Sequence, residues 1–212
     1  RRGDLWIGSS LGVNILSNNQ NVINQSNPQF KISPVFLLRQ QTINAIVVDP
    51  LNQKWVATNQ GLLLVNADGT RLIASFDSRN SSLMSDQIKS LTIDENSGTI
   101  YAGTDEGLTS FRTTSIKPAE SFNELFIYPS PYILNADNII LTIDGLIRDS
   151  DIKVLTISGK LVREFTTPGG RIANWDGRDE TGNFVPSGVY LIVAYDTEGN
   201  NVSTAKVAIL RE

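Results

Sequence analysis

Short apolar runs of four to six residues, rich in Val, Ile and Leu, recur through residues 1–112 and are separated by Asn, Asp, Gly and Ser. That spacing predicts β-strands joined by turns, and no stretch carries a sustained helical period. Three runs share one pattern. They are Leu5-Trp6-Ile7-Gly8-Ser9-Ser10-Leu11-Gly12-Val13, Lys54-Trp55-Val56-Ala57-Thr58-Asn59-Gln60-Gly61-Leu62 and Ile100-Tyr101-Ala102-Gly103-Thr104-Asp105-Glu106-Gly107-Leu108. The aromatics Trp6, Trp55 and Tyr101 lie 49 and 46 residues apart, and a glycine follows each at an offset of six. The second copy predicts strands near 43–49, 54–58, 62–65 and 71–76. The third predicts strands near 88–94, 99–103 and 107–112, with a short one at 113–117. A repeat of about 40–50 residues with four strands is the signature of a propeller blade. A large ring beside Gly8, Ala57 or Gly103 suits close packing between neighbouring blades.

The first copy enters at its second strand, so the chain offers about two and a half to three four-stranded blades. The expectation is the C-terminal part of a larger propeller over residues 1–120. The polar stretch Thr113–Ser121, with one Pro and no periodicity, reads as the boundary. Residues 121–212 predict seven strands, near 122–128, 138–144, 151–157, 160–165, 171–175, 188–196 and 202–210. Val189, Leu191, Val193 and Tyr195 share one face of their strand, and Ala205, Val207 and Ile209 share one face of the next. Seven short strands without a helix predict a β-sandwich of immunoglobulin-like type. The fold class is therefore all-β.

Composition narrows the chemistry. The 212 residues include no His and no Cys, which removes thiol and imidazole catalysis, Cys/His metal cages and disulfides. The net charge of −4 argues against nucleic acid as a partner. Residues 1–120 hold 10 basic and 10 acidic groups, while residues 121–212 hold 8 basic and 12 acidic, so the deficit sits in the second half. No apolar run is long enough for a membrane-spanning helix.

Two resemblances sharpen the picture. Asp49, Trp55-Val56-Ala57-Thr58 and Gly61-Leu62, with Asp94, Tyr101-Ala102-Gly103-Thr104 and Gly107-Leu108, resemble the two-component regulator propeller repeat. Leu83-Met84-Ser85-Asp86-Gln87-Ile88 is similar to that family's lead-in loop. The run Asn174-Trp175-Asp176-Gly177-Arg178-Asp179 through Gly182 to Val185-Pro186-Ser187-Gly188-Val189-Tyr190 resembles two related families. These are the immunoglobulin-like domain of flagellar hook-capping proteins and the C-terminal sorting domain of the type IX secretion system. Tyr128-Pro129-Ser130-Pro131 resembles the sorting domain's opening, with Ser130 in place of the family's Asn. The two resemblances together imply a non-enzymatic surface accessory component of type IX secretion on a Gram-negative outer membrane. They imply anionic lipopolysaccharide or the sortase as partner. The alternatives are a secreted cargo protein whose sandwich is an export signal, and the periplasmic sensor region of a hybrid two-component system.

The residues themselves offer few reactive groupings, and no catalytic, metal or cofactor residue is assigned. Lys153, Lys160 and Arg163 fall on one predicted hairpin and are the candidate ligand-binding cations for an anionic glycolipid. Asp176, Asp179 and Glu180 suggest a calcium loop, but turn chemistry accounts for them better, since calcium takes six to eight oxygens. Trp175 is expected in the core. Asp49 and Asp94 recur at equivalent strand ends, which marks a repeated turn rather than an acid–base pair. Arg2-Gly3-Asp4 reads as a chance tripeptide, and Asn24, Asn80 and Asn201 begin glycosylation sequons that carry no meaning in a bacterium. Open blade edges predict self-association.

Overall fold

The computed structural model describes residues 3–17, 26–27, 29–134, 140–167 and 169–211. The chain divides into two units, residues 1–113 and 114–212. The first unit holds three antiparallel sheets, one per repeat. The first sheet is β1 (Leu5–Ser9), β2 (Gly12–Ser17) and β3 (Lys31–Pro34). The second is β4 (Ile43–Val48), β5 (Lys54–Thr58), β6 (Gly61–Val65) and β7 (Leu72–Phe76). The third is β8 (Ile88–Asp94), β9 (Thr99–Thr104) and β10 (Leu108–Arg112). The short strand expected at 113–117 does not form. Thr113 instead closes the third sheet, its N–H donating to Gly98 O at 2.9 Å.

Alternation along β5 explains how the blades stack. Trp55 and Ala57 point into a core shared with the third blade, while Val56 points into a core shared with the first. Trp55 stacks on Phe76 with ring centroids 5.8 Å apart, and Phe76 meets Phe111 of the third blade at 5.6 Å. The recurring glycine has a steric cause. Gly12 and Gly61 sit at φ of 120° and 119°. A Cβ at either would run into a main-chain carbonyl, that of Leu38 or of Phe76. Leu38 and Leu83, each five residues ahead of a first-strand isoleucine (Ile43, Ile88), are buried plugs in the two inter-blade cores.

The second unit is a two-sheet sandwich. One sheet orders β11 (Phe126–Tyr128), β13 (Leu141–Asp144) and β16 (Ile172–Trp175). The other orders β12 (Tyr132–Leu134), β18 (Val202–Arg211), β17 (Gly188–Tyr195), β14 (Asp151–Thr156) and β15 (Leu161–Thr166). The sequence predicts seven strands, and the described residues form these eight. The extra one, β12, pairs in parallel with the C-terminal strand and turns Tyr132 and Leu134 inward. Three residues behind two prolines are too few to show a period. Inward-facing Ile143, Ile152, Val154, Trp175, Ile192 and Ile209 anchor the core between the sheets.

The unit boundary lies ahead of the polar stretch's end. Residues 114–120, assigned to the first half from sequence, lie with the second unit. Ile116 O accepts from Arg171 N at 3.0 Å, and Ala119 N donates to Leu146 O at 2.9 Å.

Candidate functional site

The β14–β15 hairpin carries all three candidate cations, but its register separates them. Lys153 stands opposite Glu164, and Val154 opposite Arg163. Val154 is a core residue, so Arg163 lies on the inward face and Lys153 on the outward one. Lys153 is engaged there. Its Nζ is 3.4 Å from Glu164 Oε1 and 4.9 Å from the Tyr195 ring centroid. Tyr195 OH donates to the same Glu164 oxygen at 2.7 Å. Hydrogen bonding to Tyr195, then to Lys153, holds the Glu164 carboxyl below its ordinary value. Arg163 Nη1 donates to Asp179 O at 2.9 Å. Its side chain helps line a shallow cleft of about 360 Å³ with Ile140, Phe165, Asn174, Trp175 and Asp176. Lys160 is exposed just beyond Gly159, which turns the chain at φ 85°. The turn spans Ile157 to Lys160, longer than the gap between the strands predicted at 151–157 and 160–165. The three cations thus do not form one patch.

The signature loop after β16 is held by its own side chains. Trp175 is buried, meets Tyr190 edge-on at 6.2 Å, and donates its indole N–H to Arg178 O at 2.8 Å. Gly177 has φ 75°, and a Cβ there would lie 2.5 Å from Leu134 Cδ2. Asp176 Oδ1 accepts from Arg178 N, and the two side chains also pair at 3.5 Å. The Arg178 guanidinium lies 3.8 Å from the Phe184 ring centroid and donates to Gly182 O. Asp179 Oδ1 accepts from Thr181 N, Thr181 Oγ1 and Asn183 N at 2.9, 2.7 and 3.0 Å. Those bonds, Thr181's hydroxyl first, hold its carboxyl below the usual range. Glu180 turns the other way, accepting from Glu164 N at 2.7 Å while its own N–H donates to Val162 O. The three carboxylates therefore serve three separate structural jobs. Among the described residues no group of three His, Cys, Asp or Glu could hold a metal ion.

In the blades, Asp49 and Asp94 each brace the turn between the first two strands of their sheet, but the turns differ in length, Val48 pairing with Lys54 in one and Asp94 with Thr99 in the other. Asp49 is buried and accepts from Gln53 N and Trp55 Nε1 at 2.9 and 3.2 Å. Asp94 accepts from Ser97 Oγ and Asn96 N at 2.6 and 3.0 Å. A cleft of about 730 Å³ between the first two blades is lined by Asp4, Trp6, Ile46, Asn52, Lys54 and Asp68, among others. Buried Lys54 is committed within it, donating to Asn52 O, Asn52 Oδ1 and Ala67 O, with Nζ 4.9 Å from the Trp6 ring centroid. Of the sequon asparagines, Asn80 and Asn201 have their amides bonded to Ser75 O and Asp196. Asn24 and the Arg2 of the Arg-Gly-Asp tripeptide lie outside the described residues. No described helix is long and apolar enough to cross a membrane.

Sequence alone missed the role of Glu180, because nothing local marks a carboxylate that reaches a strand edge sixteen residues away. It also missed Leu38, for which a signal existed in the shared spacing of Leu38–Ile43 and Leu83–Ile88.

Regulator-type blades followed by a sorting-type sandwich define a class, a propeller–sandwich protein. The chain is similar over its whole length to PorZ of Porphyromonas gingivalis, at 30% identity and a TM-score of 0.66. PorZ is described as an essential bacterial surface component of the type IX secretion system, and this chain spans 29% of its length. Two looser likenesses support no inference. The extracellular domain of a one-component system of B. thetaiotaomicron is 14% identical at a TM-score of 0.38, covering 99% of this chain and 30% of that one. Dimeric latent PorU of P. gingivalis is 11% identical at 0.33, covering 94% and 24%. No family model and no curated protein matches the chain.

Proposed function

We propose that this chain works at the cell surface as a non-catalytic accessory component of type IX secretion. It binds anionic lipopolysaccharide, the sortase, or both, and presents them for cargo anchoring. One observation carries the reading: both the blades and the sandwich align with PorZ across all 212 residues, in the same order. The absence of His and Cys and the structural use of every carboxylate in the signature loop favour binding over catalysis. Lys160, exposed at its hairpin tip, is the proposed point of anion contact. Lys153 and Arg163 act at one remove, through Glu164 and the Asp179 loop.

The test is mass spectrometry of native protein extracted from the cell surface. Peptides from 127–212 are expected to remain attached. A chain ending near Tyr128 with a glycolipid adduct would instead make the sandwich an export signal and the protein cargo. Lys160→Glu is expected to weaken binding of purified anionic lipopolysaccharide about tenfold at low salt, and less at high salt.

A further inference from the structure

The chain that joins the two units is anchored at either end. On the blade side, Thr113 donates both its N–H and its hydroxyl to Gly98 O, at 2.9 and 2.8 Å. On the sandwich side, Phe122 packs against the core, Asn123 O accepts from Ser203 Oγ at 2.8 Å, and Leu125 is buried. A Cβ on Gly145 would lie 2.7 Å from Glu124 O, so the main chain is closely packed there as well. Eight residues, 114–121, lie between these anchors.

Their backbone is bonded to the sandwich at Ile116 and Ala119. Ile116 O accepts from Arg171 N at 3.0 Å, Ala119 N donates to Leu146 O at 2.9 Å, and Ala119 bridges to Ile147. Among the described residues, the sandwich core takes no side chain from this stretch. Segments held by backbone bonds with little apolar burial are the first to open. The groups that receive the stretch are tied together without it. Arg171 O accepts from Leu146 N at 3.0 Å, and the Arg171 guanidinium makes a two-bond ion pair with Asp144, at 2.5 and 3.3 Å. The start of β16 and the loop after β13 therefore stay joined when residues 114–121 leave.

We propose that residues 114–121 are a releasable strap that sets the covalent reach between the two units. This goes beyond the secretion reading and does not depend on it. With the strap docked, only Thr114 and Ser115 lie between the bond at Thr113 and the bond at Ile116. That stretch can span at most about 10 Å. With the strap released, the next anchor after Thr113 is Phe122, and the chain between them reaches up to about 30 Å. Neither state disturbs a sheet or the sandwich core, so the reach changes without unfolding either unit. The two strap bonds act together, because Ile116 and Ala119 are three residues apart and each steadies the chain for the other.

Amide hydrogen exchange of the full chain, resolved by residue, tests this. The Ala119 and Arg171 amides are the two donors of the strap bonds, while the Leu146 amide bonds to Arg171 O without the strap. In the wild type, Ala119 and Arg171 are expected to share one protection factor, at least about a hundredfold below that of Leu146. Ala119→Pro removes the donor to Leu146 O. It is expected to speed exchange at Arg171 at least about tenfold and to leave Leu146 within about twofold. Position 119 lies outside the core, and circular dichroism confirms that the variant folds; if it does not, the wild-type comparison decides alone. Ala119 and Arg171 as protected as Leu146 would mean that the strap leaves only when the sandwich unfolds. No change at Arg171 in the variant would make the two bonds independent, and an equal change at Leu146 would make the strap part of the loop it sits on. Any of these three results overturns the proposal.

Discussion

Asp179 accepts three hydrogen bonds through a single carboxylate oxygen, and each donor lies within four residues of it. The loop's shape is thus tied to the ionised form. The carboxyl is held below its ordinary 3.8, so the loop gains stability from it above that value and loses this as pH falls through the depressed one. Asn at this position keeps an acceptor oxygen but no charge. Asp179→Asn is expected to leave the loop formed at neutral pH and to flatten its acid sensitivity below about pH 4. Amide exchange at Thr181 and Asn183, compared between wild type and variant, reads the difference. An unchanged acid profile in the variant would show that other carboxylates govern the loop.

At the scale of the element, β15 is a sheet edge that the molecule covers. Glu180 lies alongside it like the start of another strand, its N–H donating to Val162 O and its side chain accepting from Glu164 N. Exposed edges invite pairing with other chains. Glu180→Ala removes the acceptor, at a cost of about 1 kcal/mol, and leaves the edge half open. The expected outcome is faster exchange of the Glu164 amide and more aggregation on heating, with Glu180→Gln restoring both. Most elements were legible in the sequence because their alternation is long enough to see. Strands at 54–58 and 88–94 appear where their residue patterns place them. β17, apolar on both faces, still shows its length. What was hidden is what depends on partners distant in sequence. β12 exists because β18 offers it an edge. The opposed faces of Lys153 and Arg163 depend on which face of β14 turns inward and on Val154 pairing with Arg163 across the hairpin. Side-chain chemistry alone reveals neither.

At the scale of the whole molecule, the sandwich core draws all its buried members from residues 125–209, so the second unit holds what it needs to fold alone. Where it must begin is a sharper question. Polarity places the boundary after Glu120, since Thr113–Ser121 contains nothing that looks worth burying. The backbone decides otherwise. Ile116 O accepts from the Arg171 N–H, the Ala119 N–H donates to the Leu146 carbonyl, Ala119 bridges in parallel to Ile147, and Ser115 is buried. Backbone pairing of this kind leaves no mark on composition. A fragment beginning at 121 loses both hydrogen bonds at once. At about 1 kcal/mol each, it is expected to be roughly 1–3 kcal/mol less stable than a fragment of 114–212. Urea denaturation of the two fragments, side by side, measures this. Both should unfold cooperatively with similar slopes, because the apolar core is the same, and the difference should appear in the midpoint. Equal midpoints would make residues 114–120 a passive strap and return the boundary to where polarity puts it.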